Sequence, residues 1–311
     1  MKKIAYILLG LVFISTASCQ EVSEVKVQVV EEDGVTPVRA AEVEVIYLGY
    51  SGESTQRKKG LTDSEGIYQT TGAAQLRISI IIKKEGYYMV DIDRLNRKEN
   101  HDVKYILRKI KNPIPLYMRK MLLGIPRNRE WLAFDFEVGD WVAPHGNGKK
   151  ADVLFRCDTT KTAEMMGRGT LEIKFGENEG LKLVSSEYLT SSDMKMPHMA
   201  PDSGYEAHFS RSEDSYHNKN VQAGVGYFFR TRLEESDGNV IAANYGKLAS
   251  DIRFDPRESG WHVSHKNKPK KYATVSFTYY FNPTPNDRNL EFDPKQNLFK
   301  DLDVTEMVRE P

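Results

Sequence analysis

Val25-Lys26-Val27-Gln28-Val29-Val30-Glu31-Glu32-Asp33-Gly34 decides the fold class. Val25, Val27 and Val29 alternate with polar residues, and only a pleated strand, whose successive side chains take opposite faces, puts all three on one side. Glu32-Asp33-Gly34 then ends the strand in a turn where glycine takes positive φ at little cost. Downstream, Pro37-Val38 leads into Ala41, Val43 and Val45, and the run continues through Ile46-Tyr47-Leu48 to Gly49. Thr62-Asp63-Ser64-Glu65-Gly66 is a second tight turn before Ile67 and Tyr68, and Leu76 to Ile82 is a β-branched run suited to a sheet. Gly86-Tyr87-Tyr88 and Val103 to Leu107 complete the set.

Asp33-Gly34 before Pro37-Val38, then Thr62-Asp63 with Gly66-Ile67-Tyr68, then Lys84-Glu85-Gly86-Tyr87, taken in that order, resembles the carboxypeptidase regulatory-like domain, a transthyretin-like β-sandwich. The resemblance spans residues 25–110 and implies a folding aid, spacer or binding module attached to something else, in some families a zinc carboxypeptidase. That enzyme's zinc motif has Glu three residues after His, and none of the seven histidines is followed by Glu at that spacing. The same domain also precedes outer-membrane receptor barrels, but the remaining C-terminal region lacks the many lipid-facing strands a large barrel needs.

Ahead of this module, Lys2 and Lys3 precede the apolar run Ile4 to Ile14, which is too short to span a bilayer and has the layout of a secretory signal peptide. Ser15-Thr16-Ala17-Ser18-Cys19 resembles the lipobox of bacterial lipoproteins, departing from it at Thr16, where Leu is commonest. The expectation is a signal peptide over 1–18, a lipid on Cys19, and a tether over 19–24. Gln20 in place of Asp points to the outer membrane. Lipidation leaves Cys157 as the lone thiol, and its position after Val153-Leu154-Phe155 reads as a buried small hydrophobe.

Charge is balanced, with 44 basic and 44 acidic residues, so no net field draws the chain to nucleic acid. The length of 311 residues favours two domains. Lys111-Asn112-Pro113-Ile114-Pro115 places two prolines at alternate positions, which oppose both helix and ladder pairing, so 111–130 reads as a linker open to proteases.

Residues 131–285 read as a second all-β domain, a larger sandwich or partly closed barrel, followed by a polar tail over 286–311. Thr170 to Phe175 and Leu181 to Tyr188 flank Glu177-Asn178-Glu179-Gly180 as an expected hairpin; Tyr227 to Leu233 and Val240 to Tyr245 flank Ser236-Asp237-Gly238-Asn239 as another. Tyr272 to Phe281 is the last clear strand.

Catalytic motifs are absent from this region. His262 and His265 have helical spacing in a strand-or-loop context, and no metal or cofactor is called for by the sequence. Met194, Met196 and Met199 beside His198 read as loop packing rather than a copper site. Glu213-Asp214 and Glu234-Glu235 read as solvated turn residues. The candidate recognition surface is the glycine-rich loop 140–150, where Trp141 supplies an apolar face and His145, Asn147 and Lys149 supply donors. The opposing reading packs Trp141, Val142 and Pro144 against the neighbouring domain, since large aromatics are mostly buried. The functional expectation is an outer-membrane lipoprotein with a spacer sandwich and a non-catalytic binding or structural domain, its partner a glycan or an envelope protein. A glycan-active enzyme and a structural subunit of an envelope assembly are the alternatives.

Overall fold

The computed structural model describes residues 22–163, 166–184, 192–214, 222, 224–257 and 271–311. The signal peptide, Cys19, and the pair His262 and His265 lie outside the described residues.

The N-terminal unit contains β1 (Val22–Val30), β2 (Glu42–Tyr47), β3 (Gln56–Leu61), β4 (Ile67–Ala73), β5 (Ile78–Lys83), β6 (Val90–Leu95) and β7 (His101–Ile106). One sheet has the order β4-β1-β7, with β1 antiparallel to β4 and parallel to β7; the other has the order β3-β2-β5-β6. The alternation read from the sequence is the reason they stack. Val25, Val27 and Val29 bury completely and share a core with Val43, Val45, Ile78, Ile80 and Ile82. Gly66 has φ of +73°, and a Cβ there would overlap the Val29 carbonyl oxygen, so this turn requires glycine both for its conformation and for the close approach. The free edge β3 carries Arg57, Lys58 and Lys59 exposed, a charged edge that discourages further pairing.

The C-terminal unit contains β8 (Tyr117–Ile125), β9 (Leu132–Asp135), β10 (Asp140–Trp141), β11 (Val153–Ala163), β12 (Met166–Lys174), β13 (Gly180–Val184), β14 (His208–Asp214), β15 (Gly226–Ser236), β16 (Asn239–Leu248), β17 (Arg253–Asp255) and β18 (Ala273–Asn282). Five strands form one sheet in the order β10-β9-β11-β12-β14. Six form the other, where β13, β15, β16 and β18 follow one another and β18 also pairs with β17 and β8. Between the two lies an aromatic-rich core in which Phe134, Phe155, Phe229, Phe277 and Tyr279 are buried. Both units are therefore two-sheet β structures, and the chain is all-β.

Three expectations change at this level. All of β8 falls inside the stretch 111–130 expected as a linker, and every one of its residues pairs with β18, from Tyr117 opposite Phe281 to Ile125 opposite Ala273. The prolines at 113 and 115 end before the strand begins, so they guide the chain into the sheet without interrupting the ladder. The expected hairpin over 170–188 does not form: β12 pairs with β11 and β14 in one sheet, whereas β13 pairs with β15 in the other. Residues 175–179 thus carry the chain from sheet to sheet. The second expected hairpin is present as β15 and β16. Finally, the tail 286–311 covers the Tyr280 end of the outer face of the six-stranded sheet, burying Leu290 and Phe292 with Leu116, Met118, Phe228 and Tyr280. Its polar residues hold turns while these two supply the packing.

Candidate functional site

The loop 140–150 is built around two carboxylates. Asp140 accepts from the backbone N–H of Trp141 (2.8 Å) and Asn147 (2.9 Å), and Asp135 accepts from those of Lys149 (2.8 Å) and Lys150 (3.0 Å). These bonds fold the loop back on β9 and β10. Trp141 does not offer a face to solvent: it is 5% exposed, packs edge-on against Phe134 and Phe155, and donates through Nε1 to the Gly124 carbonyl at 3.1 Å. A residue of this size beside a core of phenylalanines gains more by burial than by display. His145 is half-buried, while Asn147 and Lys149 are exposed. Of the four, Asn147 lines a surface hollow, and the structure does not bring the four together as one site.

The larger concave surface lies on the outer face of the six-stranded sheet, which is divided in two. On β18, Ala273, Val275, Phe277, Tyr279 and Phe281 enter the core between the sheets, so Thr274, Ser276, Thr278 and Tyr280 take the outer face. The end near Tyr280 lies under the C-terminal tail. The end near Thr274 is open and forms a hollow of about 870 Å³ lined by Leu122, Ser250, Arg253, Asp255, Thr274 and Ser276. The alternation of small hydroxyl residues with apolar ones over 273–278 is visible in the sequence, but which half of the face stays uncovered is not.

Carboxylates of this hollow are engaged. Asp251 accepts from Arg211 Nη2 on both oxygens, at 2.9 and 2.7 Å, and from the Tyr227 hydroxyl at 3.2 Å; Asp255 pairs with Arg257. Glu213, expected in a solvated turn, is buried on β14 with Arg211 Nε 3.8 Å away. A second cluster clamps the two sheets, with Arg232 of β15 reaching Asp152 at 2.6 Å and Glu137 at 2.7 Å and lying over the Phe281 ring. Burial pushes the Asp152 carboxyl up, opposed by the guanidinium.

A third cluster joins the two units. Glu291 accepts from the Tyr88 hydroxyl (2.7 Å) and from the backbone N–H of Lys111 (2.8 Å) and Asn112 (2.6 Å), and His198 Nδ1 lies 3.0 Å from it. Burial pushes this carboxyl up, but the backbone donors and the phenol outweigh it and hold Glu291 below its ordinary value. His198 is buried, and burial holds it below its ordinary value against the opposing pull of the Glu291 carboxylate. Met194 and Met196 bury in this region, in keeping with loop packing, while Met199 is exposed. Lys247 is 1% exposed, its ammonium 4.6 Å from the Tyr280 ring centre, and it makes no hydrogen bond among the described residues. No group of three or more His, Cys, Asp or Glu among the described residues is placed to hold a metal ion.

No family model matches the chain. No curated protein matches it either. Among solved structures, a streptococcal ancillary pilin is similar over 43% of this chain and 46% of its own length, at 13% identity and a TM-score of 0.21. The match thus spans less than half of that pilin. A Bacteroides uniformis protein provisionally described as carbohydrate-binding is similar over 83% of this chain and 97% of its own, at 9% identity and a TM-score of 0.21. The shaft pilin SpaA of Lactobacillus rhamnosus GG is similar over 72% of this chain and 92% of its own, at 10% identity and a TM-score of 0.20.

Proposed function

We propose that this chain is an exported lipoprotein, anchored to the outer membrane through Cys19, whose C-terminal double sheet is a non-catalytic binding module for a glycan of the cell envelope. One observation carries the binding assignment: half of the outer face of the six-stranded sheet is left uncovered as a hollow of about 870 Å³ bordered by hydroxyl and charged side chains. Thr274, Ser276 and Ser250 offer hydroxyls as donors and acceptors, Arg253 offers a fork of donors, and Leu122 offers an apolar patch, a combination that matches the alternating polar and C–H faces of a sugar. The acids around this hollow hold arginines in place, which suits a rigid binding wall better than proton transfer. The N-terminal sandwich, tied to the module through Glu291, then sets the distance from the lipid.

Two measurements test this reading. Cys19→Ser should abolish incorporation of labelled fatty acid and release the protein from membranes; retention after a salt wash refutes the anchor. On an array of envelope glycans, Arg253→Ala and Ser276→Val should lose the signal of the wild-type protein without a change in melting temperature. A wild-type protein that captures no glycan refutes the binding assignment.

A further inference from the structure

We propose that the edge of β8 between Lys120 and Gly124 is a seat for an extended peptide from a partner protein, which joins the six-stranded sheet as an added strand. It rests on main-chain groups of β8 rather than on the hydroxyl and charged side chains of the glycan hollow, with which it shares Leu122 and Ser276.

The direction of each backbone group follows from the ladder. Ala249 N–H donates to the Thr278 carbonyl, so the even-numbered residues of β18 turn their backbone groups toward β16 and β17 and the odd-numbered ones toward β8. By the register, odd residues of β8 bond to β18, and Met118, Lys120, Leu122 and Gly124 point their N–H and C=O away from the sheet. Most of that edge is covered from within. The Asn297 amide bonds both the N–H and the C=O of Met118, Lys120 N–H donates to the Glu306 carbonyl at 2.8 Å, and Trp141 Nε1 caps the Gly124 carbonyl. Among the described residues, four groups of this row have no bond: Lys120 C=O, both groups of Leu122, and Gly124 N–H.

The gap between the two covers is roughly 13 Å of strand, enough for three or four extended residues. A hollow of about 720 Å³ lies along it, lined by Leu122, Val138, Gly139, Asn147, Ser276 and Glu306. No proline or bulge interrupts this edge at Leu122, which is 73% exposed, and its one exposed charge is Lys120, in contrast with the run Arg57, Lys58 and Lys59 along edge β3. The chain's own tail already supplies one main-chain acceptor to this row, at Lys120, so an added strand extends a pattern the protein itself begins.

The surroundings define the occupant. A residue paired opposite Leu122 faces the same side and meets an exposed leucine, so it is apolar. Two positions along on that face stands Lys120, an exposed cation with no acidic partner among the described residues, which selects an acid. Neighbouring positions face the hollow beside Gly139 and Asn147 and are small or polar. The ligand class is an extended peptide with an apolar residue and an acid two positions away.

The test uses the mature protein and a short, end-capped Ser/Thr peptide carrying one Val and a Glu two positions from it. Wild type should bind the peptide by calorimetry, and amide exchange at Leu122 should slow on binding. Leu122→Pro deletes the outward N–H at an edge position where proline fits the strand, so the melting temperature should hold while affinity falls about tenfold or more. Lys120→Glu should weaken this peptide and favour the version with Lys in place of Glu, which keeps the proposal testable if the proline variant misfolds. Equal binding to wild type and both variants, or no binding to wild type, overturns the proposal. So does a wild-type dimer that Leu122→Pro dissolves, since a second copy is then the occupant. Lys120 lies outside the glycan hollow, so Lys120→Glu should leave glycan capture unchanged, and the two assignments fail separately.

Discussion

The Tyr88 hydroxyl donates to Glu291 Oε1 at 2.7 Å, joining residues 203 positions apart that belong to different β units. Around it, Lys111 and Asn112 give their backbone N–H groups to the same carboxylate, so the chain between the units is fixed at its first step. The N-terminal sandwich is docked on the second unit rather than strung from it.

Glu291→Ala leaves two backbone donors and a phenol, part-buried around the carboxylate, without their acceptor and should cost about 3 kcal/mol, whereas Tyr88→Phe removes one donor and should cost about 1 kcal/mol. Calorimetry of the wild type should give one transition; Glu291→Ala should split off a separate melting of the N-terminal unit. Protease cleavage within 111–130 should be slow in the wild type, because β8 is a paired strand, and fast in the variant. An unchanged melting profile in Glu291→Ala removes the joint from the account of stability.

Burial brings the Lys247 amine down to about 7 from an ordinary 10.5, with the nearby Arg108 guanidinium adding to the shift and Glu291 opposing it. Above pH 7 the folded protein has lost this proton while the unfolded chain keeps it, so stability rises with pH toward 10.5, by up to about 1.4 kcal/mol per pH unit. Below pH 7 the group is charged in both states and contributes no slope. Beyond pH 10 the buried Tyr279 and Tyr280, both pushed well above 10, reverse the trend, since the unfolded phenols ionise first. Lys247→Met should raise the melting temperature at pH 7 and flatten the curve between pH 7 and 10. Denaturant titrations across that range check both, and a slope retained in the variant assigns it elsewhere.

Trp141→Ala should destabilise by about 3–5 kcal/mol, from the lost apolar volume and the lost Gly124 bond. In a domain of this size that lowers the melting temperature by roughly 10 °C. Asn147→Ala and Lys149→Ala, exposed on the same loop, should stay near the wild type. Little change in Trp141→Ala contradicts its core placement.

Burial pushes the Cys157 thiol up to about 11, and Sγ points to the Arg127 carbonyl and Asn128 Oδ1, both 3.7 Å away. The thiol should therefore resist a disulfide reagent in the native protein at pH 8 and react completely in denaturant. Rapid native labelling contradicts this burial.

Local chemistry was readable directly from the chain. The alternation of Val25, Val27 and Val29, the glycine turns at 34 and 66, and the polar-apolar alternation through β18 each depend on neighbours in sequence, because strand period and turn conformation are properties of a few consecutive residues. The proposed lipobox ahead of Cys19 rests on the same kind of local reading. What needed the tertiary structure was every choice of partner. Residues 117–125 became a strand because β18 lies beside them, residues 175–179 cross between sheets because β13 finds β15, and Leu290 and Phe292 turn a polar tail into a cover. Trp141 was readable as displayed or as packed, since an aromatic beside glycines allows both until the phenylalanines around it are placed. The unbonded edge at Leu122 is invisible in sequence for a related reason: a free N–H is defined by which distant strands fail to reach it.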